Sequence, residues 1–104
     1  MPLTKDFKMT VMARAHRDKA FCNAMLTEAI NELLTGDIDV GKAILRDYIN
    51  ATITFEILSQ MLDKNPKSLM RMLGPNGNPT SRSLFEIFHM IQKLKKMKIS
   101  VSLK

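Results

Sequence analysis

The stretch ITFEILSQMLDKNPKSLMRMLGPNGNP, residues 53–79, decides the fold predicted for this chain. Two segments with helically spaced apolar residues meet at the corner DKN, and the second runs into a loop of glycine, asparagine and proline. Thr54 is a suitable N-cap for a helix over Phe55–Leu62. Asn65 can serve as the N-cap of the next helix. Pro66 fits the first turn of that helix because its missing N–H costs nothing there. The sequence therefore predicts two short helices joined by a tight corner.

Both of these helices have an apolar side. The residues predicted to point inward are Leu58, Met61 and Leu62 in the first helix and Leu69, Met72 and Leu73 in the second. The same spacing leaves Lys67, Met70 and Arg71 largely outside. Two short helices joined in this way form a helix-turn-helix, here over residues 54–73. In DNA-binding proteins this arrangement lays its second helix in the major groove.

Helical periodicity continues toward the N-terminus. One helix is predicted over about Lys5–Arg14 and another over Lys19–Leu34, with Asp18 as its N-cap and Gly36 at its C-terminal end. The apolar face of the longer helix is predicted to comprise Phe21, Met25, Leu26, Ala29, Ile30, Leu33 and Leu34.

A further helix is predicted in GDIDVGKAILRDYINA, residues 36–51. Asp37 or Asp39 can accept the free N–H groups at its start. The apolar stripe predicted along it consists of Val40, Ala43, Ile44, Tyr48 and Ile49. Arg46 and Asp47 are then predicted to face outward.

The C-terminal part begins as a helix and ends with a different period. A last long helix is predicted to be capped by Thr80 or Ser81, and its inner face to contain Leu84, Ile87, Phe88, Ile91 and Leu94. Within residues 98–104, Ile99, Val101 and Leu103 alternate with polar residues, which is typical of a short strand. A lone strand leaves its backbone groups unpaired, so this one either pairs with the same strand of a second subunit or is a tail.

Length and charge limit the classes of function. The 104 residues are expected to form one domain, residues 1–104, in which residues 1–18 are an N-terminal helix or arm. The 16 Lys and Arg against 10 Asp and Glu give a net charge of +6, which favours an anionic partner: nucleic acid, anionic lipid or an acidic protein. The chain has no run long enough to cross a bilayer and its start lacks a secretory signal, so we expect a cytoplasmic protein.

The sequence does not have the pattern of an enzyme. It contains no Ser-His-Asp, Cys-His or phosphate-loop arrangement, and it predicts no cofactor. The single Cys22 lies among helically spaced apolar residues and is expected to be structural. His16 and His89 have no Cys or acidic partner at ligand spacing, which argues against a metal site.

Two stretches resemble a known family. LLTGDIDVGKAILRDYINATITFEILSQML and PKSLMRMLGPNGNPTSRSLFEIF are similar to the antidote (antitoxin) proteins of bacterial addiction modules, which carry a lambda-repressor-like helix-turn-helix. The resemblance covers the chain from about Phe21 onward and is most specific in KSLMRMLGPNGNP. Ser59 and Asp63 stand where the family's motif has a small residue and a turn glycine, and Lys64 stands where an apolar residue commonly packs. Serine is small, and aspartate tolerates the left-handed conformation of such a turn.

The resemblance implies a fold, a function and partners. The fold would be all-α, a five- or six-helix lambda-repressor-like domain with a short C-terminal strand. The protein would bind operator DNA as a homodimer, repress its own operon and neutralise a small toxin. Two alternatives remain open: a stand-alone repressor without a toxin, and a protein-interaction module that no longer reads DNA.

The resemblance also implies which residues contact DNA. Those of the second helix of the motif would face the groove: Lys67, Ser68, Met70 and Arg71. Those of the following loop and helix start would hold phosphates: Asn76, Gly77, Asn78 and Arg82. Dimerisation is assigned to Ile99, Val101 and Leu103 in the C-terminal strand.

Overall fold

Five helices account for most of residues 18–104, the part of the chain that the computed structural model describes. In chain order they are α1 (Lys19–Leu34), α2 (Ile38–Thr52), α3 (Phe55–Leu62), α4 (Pro66–Met72) and α5 (Ser81–Lys95). This confirms the all-α class. The helix predicted over Lys5–Arg14 and His16 lie outside the described residues. None of the five helices is both long and apolar enough to cross a membrane.

Each helix begins at a polar side chain that accepts backbone N–H groups. The N-caps are Asp18, Asp37, Thr54, Asn65 and Thr80, which confirms the predicted caps and selects Asp37 over Asp39 and Thr80 over Ser81. The predicted stop at Gly36 is also confirmed, with φ of 94°. Its N–H bonds to the Leu33 carbonyl at 3.2 Å, and the Asp37 N–H bonds to the Glu32 carbonyl at 3.0 Å. These two bonds are the Schellman pattern that ends a helix.

The core lies between α1 and α2 on one side and among α3, α4 and α5 on the other. Residues that are fully or almost fully buried include Leu26, Ala29, Leu45, Tyr48, Ile49, Leu58, Leu69, Leu73, Ile87 and Ile91. The α1–α2 contact is close at Gly41, where an added Cβ would meet the Leu33 side chain at 2.6 Å. Cys22 is also buried, as expected.

Three predicted core positions are wrong. Leu34 is 71% exposed and Met61 is 52% exposed, and Val40 is also exposed. Leu34 is the last residue of α1, and no other helix among residues 18–104 covers it. Met61 lies off the stripe that Phe55, Leu58 and Ser59 bury on α3.

The inner face of α2 also differs from the prediction. Its buried residues are Gly41, Lys42, Leu45, Tyr48, Ile49 and Ala51, so Leu45 and Lys42 were missed. The close approach of α1 at Gly41 turns this side of α2 inward. Arg46 does not face outward as predicted: it is half-buried and donates from Nη1 to the Leu73 carbonyl at 3.2 Å. Asp47 is half-buried as well.

The predicted C-terminal strand is not confirmed. Residues 97–104 have no regular secondary structure and pair with no strand in the described part of the chain. Ile99 is half-buried and its N–H donates to Gln92 Oε1 at 2.8 Å. Val101 and Leu103 are 79% and 93% exposed. A strand needs a partner, so pairing with a second subunit remains a prediction.

Candidate nucleic-acid interface

The corner between α3 and α4 is a tight left-handed turn. Asp63 takes the left-handed conformation, with φ of 53° and ψ of 50°, as expected for this position. The Asp63 N–H bonds to the Gln60 carbonyl at 3.3 Å and the Lys64 N–H to the Ser59 carbonyl at 2.9 Å. Asn65 then starts α4, so only residues 63–65 separate the two helices.

α4 is supported from behind by apolar side chains. Leu69 and Leu73 are each 1% exposed, and Met72 is half-buried against the same core. On α3, Leu58 and Ser59 are buried, and the small Ser59 side chain bonds to its own helix at the Glu56 carbonyl. A small buried residue in α3 lets the two helices approach each other closely.

The other side of α4 is exposed. The residues on it are Lys67, Ser68, Met70 and Arg71, the four assigned to the groove. The exposure of Lys67, Met70 and Arg71 agrees with the prediction from their helical spacing. No group of the chain among the described residues pairs with the Arg71 or Lys67 side chain, so both cations are available to an external anion.

The loop after α4 brings two asparagines to the surface beside that helix. Asn76 and Asn78 are exposed, whereas Gly77 is half-buried. The Gly77 N–H donates to the Gly74 carbonyl at 3.0 Å, so it is used within the loop. A Cβ at Gly77 would collide with the backbone carbonyl oxygens of Arg71 and Met72. Glycine is therefore required at position 77 because the loop packs closely on α4. The prediction had instead assigned Gly77 to a phosphate contact.

Arg82 lies at the start of α5, which follows the loop. It is exposed in the first turn, and the Thr80 hydroxyl caps this helix by accepting the Ser83 N–H at 3.1 Å. The free N–H groups of a helix start favour an anion, and an exposed guanidinium there adds to the attraction.

Two cations of α2 complete the site, and the sequence interpretation missed both. Lys42 is 2% exposed, and its Nζ donates to the carbonyl oxygens of Gly77 at 2.7 Å and Gly74 at 3.0 Å. Arg46 donates to the carbonyl oxygen of Leu73, the residue between α4 and Gly74. One signal was present: Lys42 lies at helical spacing with Leu45 and Ile49, and a cation on an apolar stripe needs a buried partner.

Titratable groups elsewhere in residues 18–104 do not gather into a reactive site. No group of three or more His, Cys, Asp or Glu side chains with metal-binding geometry occurs there. The Tyr48 hydroxyl is buried without a hydrogen-bond partner among these residues, and burial raises the pKa of Tyr48 to about 12. Glu32 on α1 has its pKa raised, mainly by a hydrogen bond with Glu28. His89 is exposed on α5. The predictions of no enzyme activity and no cofactor stay predictions.

The exposed cations nearest in sequence to the corner outnumber the exposed acids there. Lys64, Lys67, Arg71 and Arg82 are exposed, and so are Glu56 and Asp63. The exposed residues of the corner, α4 and the start of α5 therefore carry more positive than negative charge. The interpretation of this surface rests on its own residues, because no protein-family model, curated protein or solved structure matches the chain.

Proposed function

We propose that this protein is a sequence-specific DNA-binding regulator that places α4 in the major groove of duplex DNA. The observation that carries the proposal is α4 itself. It is a short helix backed by Leu69 and Leu73 and joined to α3 by a left-handed corner at Asp63, and it exposes Lys67 and Arg71. A rigid, exposed, basic helix after a tight corner is what major-groove reading requires.

Each exposed side chain of α4 has a chemistry that suits DNA. Arg71 can pair with the two acceptors of guanine or hold a phosphate, and Lys67 at the helix start can do either less specifically. The short Ser68 side chain can form a hydrogen bond at close range. Met70, which is 43% exposed, can pack on a thymine methyl group. Asn76, Asn78 and Arg82 are assigned to phosphates. In this proposal DNA binding is not coupled to any catalytic step.

The finer assignment is an antitoxin with a lambda-repressor-like fold. The resemblance of KSLMRMLGPNGNP to antidote proteins supports it, and so does the α3–α4 corner within an all-helical domain. On this proposal the protein represses its own operon in the cytoplasm and neutralises a small toxin. A stand-alone repressor would share the same DNA surface but lack the toxin.

The proposal is tested by operator binding of Arg71→Ala. A duplex is recovered from a random pool with the wild-type protein, and affinity is titrated at several salt concentrations. Loss of one bidentate contact is expected to weaken binding to this duplex by roughly 1–3 kcal/mol without unfolding the protein. Lys93→Ala on α5 is the matched control, since it removes one exposed positive charge elsewhere and should change affinity little.

Two outcomes would contradict the proposal. Arg71→Ala binding as tightly as Lys93→Ala would remove Arg71 from the site. Binding that weakens with salt but shows no preferred duplex would indicate non-specific attraction of a basic protein. The second outcome would favour the alternative of a protein-interaction module.

DNA reading by one α4 covers few base pairs, so we propose a homodimer that reads two half-sites. The exposed Val101 and Leu103 and the unpaired backbone around them are the proposed contact, with Ile99 anchoring the segment on its own subunit. Deleting residues 101–104 leaves that anchor intact and is expected to raise the dissociation constant of the dimer about tenfold or more, roughly 1.4 kcal/mol. Solution mass across a dilution series measures this, with deletion of Lys104 alone as control. An unchanged dissociation midpoint would place the dimer contact elsewhere.

A further inference from the structure

Two cations of α2 bind the chain where α4 ends and the following loop begins. Lys42 Nζ donates to the carbonyl oxygens of Gly77 at 2.7 Å and Gly74 at 3.0 Å. One turn further along α2, Arg46 Nη1 donates to the carbonyl oxygen of Leu73 at 3.2 Å. We call these two side chains and the three carbonyls they bind the α2 clamp.

The position of Lys42 depends on the loop. Lys42 is 2% exposed, and the carboxylate with which it pairs within residues 18–104, that of Asp39 at 3.6 Å, belongs to a side chain that is 86% exposed. Burying an ammonium group is costly unless it is paired or hydrogen-bonded, and an ion pair with so exposed a partner is weak. Its two hydrogen bonds to the loop carbonyls of Gly74 and Gly77 are therefore the main interactions that stabilise the buried Lys42.

Lys42 binds both ends of one turn. The Gly77 N–H closes this turn on the Gly74 carbonyl at 3.0 Å, and the Lys42 ammonium bonds to the carbonyls of both residues. Asn76, within the turn, and Asn78, just after it, are exposed. Within residues 18–104 their side-chain amides make no hydrogen bond, so both remain available to a ligand.

We propose that Lys42 is a positioning residue for the DNA-contact surface, because it fixes the turn from which Asn76 and Asn78 reach a phosphate of the duplex. This inference rests on the proposed function and adds a buried residue to it. Lys42 is too buried to contact DNA, so it acts only through the loop. An asparagine amide on a fixed backbone can donate to a phosphate oxygen without first ordering the chain that carries it.

A double-mutant cycle on DNA affinity tests the inference. The probe is the duplex recovered from a random pool with the wild-type protein. In the wild-type background, Asn76→Ala is expected to weaken binding about threefold to tenfold, as for one lost phosphate hydrogen bond. In Lys42→Met, where the turn is no longer fixed, Asn76→Ala should weaken binding by less than about twofold. An equal effect of Asn76→Ala in both backgrounds would overturn the inference.

Lys93→Met is the matched control, since it removes the same charge from an exposed position on α5. In that background Asn76→Ala should keep its full effect on binding. Amide hydrogen exchange without DNA gives a second readout. The Gly77 N–H should exchange about tenfold or more faster in Lys42→Met than in Lys93→Met, while amides of α1 keep their protection. Unchanged exchange at Gly77 would also overturn the inference.

Two remaining outcomes are decisive as well. If Lys42→Met does not fold, Lys42→Gln, which keeps an amide donor, replaces it. Failure of both variants to fold would overturn the positioning role, because Lys42 would then be required for the whole fold. A wild-type protein without a preferred duplex would overturn the proposed function and with it the phosphate contact. In that case faster exchange at Gly77 would still identify Lys42 as the residue that holds the loop.

Discussion

The two ends of α4 are held by different kinds of interaction. At the N-terminal end, Asn65 Oδ1 accepts the N–H groups of Lys67 at 2.9 Å and Ser68 at 3.3 Å, two and three residues away. At the C-terminal end, the bonds come from Lys42 and Arg46, which lie 27 to 35 residues from the carbonyls they bind. One end is fixed by its own sequence, and the other by the packing of a distant helix.

Both ends matter because α4 is short. Its 7 residues are too few to form a stable helix by propensity alone. Leu69 is its one fully buried residue, so packing fixes the middle of the helix more than its ends. Direction and register of α4 on the body of the domain therefore depend on the cap at Asn65 and on the contacts of the loop that follows.

The C-terminal end is expected to be the more sensitive one, and Gly77→Ala tests this. The added Cβ would meet the carbonyl oxygens of Arg71 and Met72, which are backbone atoms and cannot rotate away. To relieve this clash, the loop must move away from α4 and therefore also away from Lys42. We expect a loss of about 3 kcal/mol in the free energy of unfolding, measured by urea denaturation.

Gly74→Ala is the control for Gly77→Ala. Its added Cβ would lie 3.3 Å from the Arg71 carbonyl oxygen, a tight contact that a small shift relieves. We expect a cost of about 1 kcal/mol or less for this variant. If Gly77→Ala is no less stable than Gly74→Ala, the loop does not pack closely on α4 and the contrast between the two ends is lost.

A smaller effect is expected at the N-terminal end, from Asn65→Ala. The variant leaves the N–H groups of Lys67 and Ser68 without their acceptor, but water can replace it because these groups are exposed. The expected loss is about 1 kcal/mol in the free energy of unfolding. Asn65→Asp keeps an acceptor oxygen and should retain most of the stability. Equal stability of the alanine and aspartate variants would mean that Asn65 does not hold this end of α4.

The contrast also explains which features could be predicted from the sequence. The caps and the left-handed corner depend on neighbouring residues: Asn65 was predicted as a cap, Thr80 as one of two candidates, and a turn at Asp63 followed from the family resemblance. The orientation of Arg46 and the burial of Lys42 depend on how α2 packs, which periodicity alone does not determine. Hydrophobic periodicity assigns apolar residues to the core and charged residues to the surface. It therefore predicts that a lysine is exposed even where packing buries it.

The same reasoning identified the exposed face of α4 but not what fixes it. Lys67 and Arg71 are exposed, as their spacing relative to Leu69 and Leu73 required. The family resemblance implied a phosphate contact for Gly77, as part of a loop whose backbone N–H groups could hold a phosphate. The close approach in the structure is instead to the carbonyls of α4 itself. Such a contact joins parts of the backbone that no local motif relates.

The smallest expected effect concerns a third cap, Thr54, which resembles Asn65 in function but differs in conformation. Its hydroxyl accepts the Ile57 N–H at 3.3 Å, yet its backbone has φ of 76° and ψ of 151°, a region that favours glycine. Asn65 caps from an ordinary extended conformation, with φ of −74°. A local motif therefore predicted the cap at Thr54 correctly but gave no indication that the cap is strained.

Thr54→Gly should therefore stabilise the protein, in contrast to the loss expected for Asn65→Ala. Removing the strain is worth about 1–3 kcal/mol, while the flexibility of glycine costs about 0.5–1 kcal/mol and the lost cap a few tenths. With the strain taken at about 1.5–2 kcal/mol, the net gain is about 0.5–1 kcal/mol in the free energy of unfolding, measured by urea denaturation. Thr54→Ala is the control, because it loses the cap and keeps the strained φ, and it should be less stable than wild type. If Thr54→Gly is destabilised as much as Thr54→Ala, the hydroxyl outweighs the strain, and the two caps differ in conformation without differing in energy.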